Sequence, residues 1–266
     1  MKQLYFKRGL TALTFFMSSV SATSLGHLTV RDPVLGPRTL VYEKIDGYAV
    51  VEGDILVGKL TKLLAAPQAS TLPAIGGGRW PNGVVPFEMS ENLPLPNKLA
   101  TLEAMALWHK KSNVDFVELT SKNRDVYPDY VSFVPVGGTT CSSFVGRQKG
   151  GQVVNLSPRC TAMNIVHEIG HALGLWHEQS RADRDAYVRI VWENIEERHQ
   201  YNFNQHLNDG EDFGDYDYDS IMQYGAYHFS KNGKKTIIPL MGDIEIGQRD
   251  HLGEKDIATI NYMYPK

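Results

Sequence analysis

The 266-residue sequence has few cysteines, no cluster of basic residues and no long apolar segment, and each scarcity excludes a class of protein. Two cysteines are too few for a zinc site built from thiolates alone. The formal net charge is −3 and Lys and Arg are scattered, whereas nucleic-acid binding needs clustered cations that displace the counterions of phosphates. We therefore expect no nucleic-acid partner.

The N-terminus has the pattern of a secretory signal peptide. Three basic residues precede an apolar stretch over residues 9–20, and small residues suited to signal peptidase follow at 20–22. A membrane anchor is the alternative, but the stretch is shorter than the roughly 20 residues of a spanning helix, and no later segment qualifies. We predict a signal peptide over residues 1–22 and a secreted protein, in transit through the periplasm if the host is bacterial, with no membrane anchor after signal removal.

Export permits a disulfide bond between the two cysteines, Cys141 and Cys160. We expect them to pair. Free thiols, or half of a metal site, are the alternatives, although thiols rarely stay reduced outside the cell.

Composition divides the exported chain into two parts. Residues 63–78 are rich in Ala, Ser, Pro and Gly, which indicates an exposed linker of the kind that proteases cut. We predict a removable pro-segment over residues 23–75 and a mature domain over residues 76–266, with no internal repeat.

The mature domain has the hydrophobic patterns of a mixed helical and β structure. The sequence predicts helices over 97–111, 161–173 and 254–264. In the first of these, helical spacing links Leu99, Leu102, Ala106 and His109. Short β-rich runs at 84–89, 114–119, 130–136 and 152–156 predict strands. This order is typical of an α+β domain with a cleft between two lobes.

A run of eleven residues from His167 to His177 has the spacing of a metal site. Residues four apart lie on one face of a helix, so His167 and His171 can hold one ion, with Glu168 beside it. In a continued helix His177 would lie about 240° from His171, so the helix must stop, and Gly174 tolerates the positive φ of a helix end. Three imidazoles leave one coordination position open, which is typical of a catalytic zinc. The sequence predicts one Zn²⁺.

Other residues are weaker candidates. Met222, within the run 220–224, can form a floor for the site, although a lone methionine is ordinarily core filler. Six further histidines lie in no ligand spacing, and we expect them to be ordinary surface or core residues: His27, His109, His199, His206, His228 and His251. The plain alternative for His167, His171 and His177 is that they too are core or surface residues.

These motifs resemble the astacin family of metzincin proteases over residues 80–264. The matching blocks are the extended H-E-x-x-H-x-x-G-x-x-H with Glu178 directly after it, the Ser-x-Met-x-Tyr run at 220–224, the Phe-Ser-x-x-Gly phrase at 229–233, and Ile-Gly-Gln-Arg at 246–249. The resemblance implies a two-lobed metzincin-like domain. Its N-terminal lobe would be a twisted mixed sheet with two long helices, including the zinc helix, and its C-terminal lobe mostly irregular with a closing helix.

The resemblance also implies roles for residues of the site. The zinc ligands would be His167, His171 and His177, and Glu168 would act as general base and acid. Tyr224 matches a tyrosine that ligates zinc in the resting enzyme and moves away to stabilise the transition state. Met222 would be the Met-turn beneath the imidazoles.

Further matches concern maturation and stability. Glu178 would meet the new N-terminal region once the pro-segment is removed. Cys141 and Cys160 match one family disulfide, and the second family disulfide has no counterpart here. The run Glu52-Gly53-Asp54 resembles the family's aromatic-x-Gly-Asp motif, with Val51 in the aromatic position, so Asp54 would silence the zymogen as a zinc ligand. A plain Gly-Asp turn is the alternative.

Two matches concern the substrate. Residues 130–136 and those before Cys141 resemble an edge strand that pairs with an extended polypeptide, and such pairing selects backbone conformation more than sequence. Arg249 can reach the pocket after the scissile bond and favour Asp or Glu there, with a solvated surface arginine as the alternative.

Together these features predict a secreted, monomeric zinc endopeptidase made as a zymogen and activated by another protease. One rival is a secreted binding protein that has lost catalysis, and the intact Glu168 with its three histidines argues against it. A zinc hydrolase acting on other substrates is the second rival, and the Tyr224 run argues against that.

Overall fold

The computed structural model describes residues 25–32, 36–65 and 77–266. The predicted signal peptide and most of the predicted linker, residues 66–76, lie outside the described residues. Within the described ranges, no helix combines the length and apolarity needed to cross a membrane. We call residues 25–65 the N-terminal segment.

The N-terminal segment contains β1 (Leu25–Asp32), β2 (Gly36–Ile45), β3 (Tyr48–Val51), β4 (Ile55–Lys59) and the short helix α1 (Leu60–Ala65). The remainder contains β5 (Val84–Met89), α2 (Leu95–Lys111), β6 (Asp115–Glu118), β7 (Tyr130–Pro135), β8 (Ser142–Ser143), β9 (Gly151–Leu156), α3 (Ala162–Leu173), β10 (Val188–Ile190), β11 (Ile237–Pro239) and α4 (Glu254–Met263). Five short 3-10 helices fall between these described elements, four of them between α3 and β11. The predicted strands and helices are confirmed to within a few residues at their ends.

A nine-stranded mixed sheet runs through both parts, in the order β1-β2-β3-β4-β8-β9-β7-β5-β6. Strands β6, β5, β7 and β9 pair in parallel, and β8 is antiparallel to β9. The N-terminal segment forms an antiparallel meander whose last strand, β4, pairs in parallel with β8 through Ile55 and Ser143. The predicted α+β fold with a mixed sheet is confirmed.

The prediction that residues 130–136 form an edge strand is wrong. Strand β7 lies between β5 and β9 and is hydrogen-bonded to both, so its backbone has no free side for a substrate. The strand that borders the site is β8, just after Cys141, and its outer side is paired with β4. A short strand of two serines has no hydrophobic alternation, which is why the sequence pattern missed it.

Helices α2 and α3 pack together through buried aromatic anchors. The indole of Trp108 on α2 donates a hydrogen bond to the Val166 carbonyl of α3 at 3.0 Å. The core face of α2 includes Ala104, Met105 and Trp108, whereas Leu99 and Leu102, which contributed to the prediction of this helix, are 58% and 50% exposed. Helical spacing therefore predicted the helix correctly, but the apolar residues that it picked out lie on the solvent-exposed face. The reason is that α2 carries apolar side chains on both of its faces.

The chain after α3 builds a second small core around Ile195, Phe203 and Ile237. Helix α4 then closes the molecule, and the Tyr264 hydroxyl just after it donates to the Leu173 carbonyl at the end of α3 at 2.7 Å. The expected disulfide between Cys141 and Cys160 is present, and it ties the start of β8 to the residue before the N-cap of α3.

Candidate metal centre

Helix α3 begins and ends at residues whose chemistry sets its limits. Thr161 is the N-cap, and its side chain and that of Asn164 cap each other's backbone N–H groups. Gly174 follows the last turn with φ of 116°, in the left-handed region that favours glycine. The predicted stop at Gly174 is confirmed, and the chain turns there so that His177 comes back to the face that carries His167 and His171.

The three imidazoles converge with the carboxylate of Asp54 from the N-terminal segment. Within the described part of the chain, these four residues form the one group of at least three potential ligands whose donor atoms lie within 4.8 Å of one another. The Asp54 oxygens lie 3.3 Å from His167 Nε2, 3.5 Å from His171 Nε2 and 3.2 Å from His177 Nε2. Asp54 therefore meets histidines that are more than 110 positions away in the sequence.

This arrangement fits a zinc ion. Nitrogen ligands lie about 2.0–2.1 Å from zinc, so two ligands of a tetrahedral ion lie about 3.3 Å apart. The separation of His167 Nε2 and His177 Nε2 is 3.3 Å. His171 Nε2 and Asp54 Oδ1 are buried without a hydrogen-bond partner, which is costly unless a cation binds them. The donor set can hold one zinc ion.

Each imidazole is oriented by a hydrogen bond at its other nitrogen. His167 Nδ1 is 2.8 Å from the Ile221 carbonyl, and His171 Nδ1 is 2.8 Å from the Leu175 carbonyl. A carbonyl only accepts, so both rings carry a proton on Nδ1 and present Nε2 to the site. Burial lowers the pKa of His171 and lowers that of His167 to about 3, which favours the neutral form that binds a metal.

Glu168 lies beside the cluster and is 3% exposed, and its Oε2 has no hydrogen-bond partner. Burial raises the pKa of its carboxyl well above the usual range, and the charge of Asp54 raises it further. A buried carboxyl with a raised pKa and a free oxygen can hold and release a proton.

Two residues of the 220–224 run lie next to the imidazoles. Met222 is 1% exposed, and a Cβ added at Gly170 of α3 would come within 2.9 Å of its sulfur, so the helix and this methionine are in close contact. The Tyr224 ring centroid lies 4.6 Å from that of His177. The Tyr224 hydroxyl donates to the Glu52 carbonyl at 2.5 Å, so the N-terminal segment engages it.

Glu178 lines a cleft of about 850 Å³ on the other side of His177, together with Asp217, Asp256 and residues 77–79. Its Oε1 accepts a hydrogen bond from the Asp217 backbone N–H at 2.7 Å. Burial raises the pKa of its carboxyl to about 8. The first residues described after the gap at 66–76 therefore line a cleft rich in acidic side chains.

Arg249 is partly buried at the other end of the site. Its guanidinium donates to the carbonyl of Gln223 at 3.1 Å and to that of Gln248 at 2.7 Å, and burial lowers its pKa. Asp54 and Glu168 both act on it electrostatically.

Val51, in the aromatic position of the predicted motif, is buried in a small core with Val145.

The residues that surround Glu52 were not predictable from the sequence. Its carboxylate is 2.8 Å from His177 Nδ1, 2.9 Å from Ser180 Oγ and 2.5 Å from His206 Nε2, and Asn202 accepts from its backbone N–H. His206 had been expected to be an ordinary histidine. No local spacing signals these contacts, since Glu52 and His206 are 154 positions apart.

Comparison with known proteins agrees with this geometry. The family described as Astacin (Peptidase family M12A) matches residues 76–265. The zinc metalloproteinase nas-13 of Caenorhabditis elegans is 40% identical over 189 residues, which are 70% of this chain and 41% of that protein. The zinc metalloproteinase nas-4 of the same organism is 37% identical over 224 residues, 80% of this chain and 68% of that protein.

Among solved structures, high choriolytic enzyme 1, a hatching enzyme zinc-protease of the medaka fish Oryzias latipes, matches with a TM-score of 0.63 and 35% identity. The match covers 71% of this chain and 94% of that chain. The chain spans less than half the length of nas-13. The family match, these relatives and the histidine cluster lead to one conclusion: the chain belongs to the astacin family of zinc metallopeptidases, peptidase family M12A.

Proposed function

We propose that this protein is a secreted zinc endopeptidase made as a zymogen, in which Asp54 keeps the catalytic centre silent. The observation that carries the proposal is the convergence of three imidazole Nε2 atoms with the Asp54 carboxylate, directly beside Glu168. His167, His171 and His177 would hold the zinc ion throughout, and Asp54 would occupy the open position until maturation.

In the mature enzyme Glu168 acts as general base and then general acid. His167, His171 and His177 would hold a zinc ion, which would supply Lewis acidity toward a peptide carbonyl and toward water. Departure of Asp54 removes one of the two causes that raise the pKa of Glu168, so a larger fraction of this carboxyl is ionised and able to accept a proton. Glu168 accepts a proton from the attacking water and delivers it to the leaving amine.

Tyr224 stabilises the transition state in this proposal. Its hydroxyl bonds to the backbone carbonyl of Glu52 in the proenzyme, and loss of the N-terminal segment frees it. A phenol hydroxyl near His177 can then donate to the oxygen on which negative charge develops. Met222 packs beneath the imidazoles and keeps water from that side.

The N-terminal segment belongs to a pro-segment over residues 23–75. The signal peptide is residues 1–22 and the catalytic domain is residues 76–266. Strand β4 occupies the outer side of β8, and the Ser143 backbone N–H donates to the Asp54 carbonyl at 3.0 Å. Arg38 also pairs with Asp209 on the catalytic side. The segment thus covers both the metal site and the strand that would pair with a substrate.

A second protease removes this pro-segment to activate the enzyme. Residues 77–79 line the cleft of Glu178, whose buried carboxyl has a raised pKa and an ion pair with Arg181 at 3.7 Å. An α-amino group produced upstream of residue 77 would bring a second positive charge to this carboxyl. We propose Glu178 as the partner of the new N-terminal region.

Substrates are extended polypeptides that pair with the vacated side of β8. Arg249, partly buried and electrostatically coupled to Asp54, can favour an acidic residue after the scissile bond. Cleavage profiles of the wild type and Arg249→Ala test this, and identical profiles would refute it. We expect a monomer that does not bind nucleic acid.

The decisive experiment uses casein hydrolysis by protein from which residues 1–75 have been removed. We expect activity that o-phenanthroline abolishes and added zinc restores, and that Glu168→Ala lacks. Equal activity of Glu168→Ala, or none in the wild type, would overturn the proposal. N-terminal sequencing of protein recovered from the culture medium tests export and cleavage after residue 22.

A further inference from the structure

The carboxylate of Glu52 lies in a pocket built by the catalytic domain. It accepts hydrogen bonds from Ser180 Oγ at 2.9 Å and from His177 Nδ1 at 2.8 Å, and it pairs with His206 Nε2 at 2.5 Å. The Glu52 side chain is 6% exposed, so these three donors replace most of the hydrogen bonds that its carboxylate would make with water. Hydrogen bonds to a charged acceptor are the strong class in proteins.

Two of these donors, His206 and His177, are oriented by groups of the catalytic domain. His206 Nδ1 is 3.0 Å from the Asp209 carboxylate, which directs Nε2 toward the pocket. The His206 ring lies against the Trp176 ring, with 4.0 Å between centroids. Since the Nε2 of His177 faces the metal, its Nδ1 carries the proton and donates. The catalytic domain therefore supplies all three donors and orients two of them.

Resting on the proposed function, we infer that the mature enzyme has a subsite for an acidic side chain of its substrate at the place vacated by Glu52, formed by His206, Ser180 and His177 Nδ1. Glu52 lies two residues from Asp54 in a turn, so their Cα atoms are at most about 7 Å apart. The subsite is thus close to the scissile bond. It shares no residue with the Arg249 hypothesis, whose guanidinium bonds to the carbonyls of Gln223 and Gln248.

An empty pocket of this kind discriminates against neutral side chains. In the proenzyme His206 lies between the carboxylates of Glu52 and Asp209. After maturation it keeps Asp209 as a partner, and its Nε2 faces a pocket that has lost the Glu52 carboxylate. A glutamate restores the charge-assisted bonds, whereas a glutamine of the same shape makes neutral ones and turns an N–H group toward a donor. We expect about a tenfold preference, which corresponds to about 1.4 kcal/mol.

The test starts from the folded full-length chain with a site for a sequence-specific protease introduced within residues 66–76. After cleavage and separation of the pro-segment, a peptide library is digested and the cleavage sites are identified by mass spectrometry. We expect Glu or Asp to be enriched at a position that Arg249→Ala does not affect. Two synthetic peptides that differ by Glu or Gln at that position then give the ratio of kcat/KM, with the difference in KM.

Variants assign the preference to the pocket. His206→Gln should lower the Glu-to-Gln ratio from about ten to below three. Ser180→Ala removes one hydroxyl and should lower it about threefold, and it provides a second reading if His206→Gln folds poorly. His109→Gln, at an exposed position on α2, is the matched control and should keep the wild-type ratio.

The outcomes separate this inference from the proposed function. A zinc-dependent enzyme with no acidic preference, or with a preference that both pocket variants retain, would overturn the subsite and leave the peptidase intact. Absence of any chelator-sensitive cleavage would overturn the proposed function, and the subsite with it. A reduced acidic preference in His206→Gln and Ser180→Ala, with the wild-type preference kept in His109→Gln, would support both the subsite and the proposed function.

Discussion

Asp256 at the start of α4 connects the closing helix to His167, a proposed zinc ligand, and its replacement tests that connection. Its carboxylate accepts from Ser220 Oγ at 2.6 Å, from the Ile221 backbone N–H at 2.8 Å and from the Gly253 N–H at 3.0 Å. Ile221 in turn accepts from His167 Nδ1 through its carbonyl. Asp256→Asn keeps the shape but places an N–H₂ group against one of the three donors.

The magnitude follows from the pKa of this group. Burial raises the pKa of Asp256 to about 6, although the three hydrogen bonds lower it. An unfolded aspartate has a pKa of about 3.9, so ionising Asp256 costs about 3 kcal/mol more in the folded protein than in the unfolded chain. Because the folded pKa is the higher one, the folded state binds the proton more tightly between pH 4 and 6. The contribution of Asp256 to the free energy of unfolding therefore falls as pH rises through that window and is constant above it.

Urea unfolding of the proenzyme and of Asp256→Asn at several pH values from 4 to 8 measures this contribution. Subtracting one from the other removes the titration of groups that both proteins share. The advantage of the wild type should shrink by up to about 3 kcal/mol between pH 4 and pH 7. A difference that stays constant with pH, or one that grows, would refute the reasoning.

The same variant should weaken zinc binding. Loss of a group that holds the carbonyl partner of a metal-binding histidine costs roughly 10–100-fold in metal affinity. Competition with a fluorescent chelator at pH 7 measures this. Unchanged zinc affinity would show that the Ile221 carbonyl keeps its position without Asp256.

Three further predictions concern latency, catalysis and stability. Asp54→Asn replaces the carboxylate by an amide, which is a poor zinc ligand. The uncut variant should therefore hydrolyse casein at least about tenfold faster than the uncut wild type or the control Asp46→Asn in the β2–β3 turn. Equal rates would show that Asp54 does not silence the enzyme. Tyr224→Phe should lower the kcat of the mature enzyme about a hundredfold with little change in KM, since it removes one oxyanion donor, and a kcat within twofold of the wild type would exclude that role. Replacing Cys141 and Cys160 together by serine should lower the free energy of unfolding by about 3 kcal/mol, from a sequence separation of 19 residues, and a loss under about 1 kcal/mol in urea unfolding would contradict this.

Local spacing determined a large part of the candidate site. His167 and His171 face the same way because they are four residues apart in α3, and Gly174 ends the helix because it adopts a left-handed conformation. Both features depend on short-range geometry, so they were predictable without the fold. The face of α2 was not, since burial there depends on where α3 and its Val166 carbonyl lie.

Contacts between distant parts of the chain were decided by the tertiary structure alone. A two-serine strand became the border of the site because β9 and β4 pair with its two sides. Glu52 meets His177 across 125 positions and His206 across 154, and nothing in the spacing of those residues predicts it. The sequence by itself determined which residues can hold zinc, because helix geometry places them. The packing of the N-terminal segment and α4 decided what orients those ligands, because hydrogen bonds between remote residues exist only once the chain has folded.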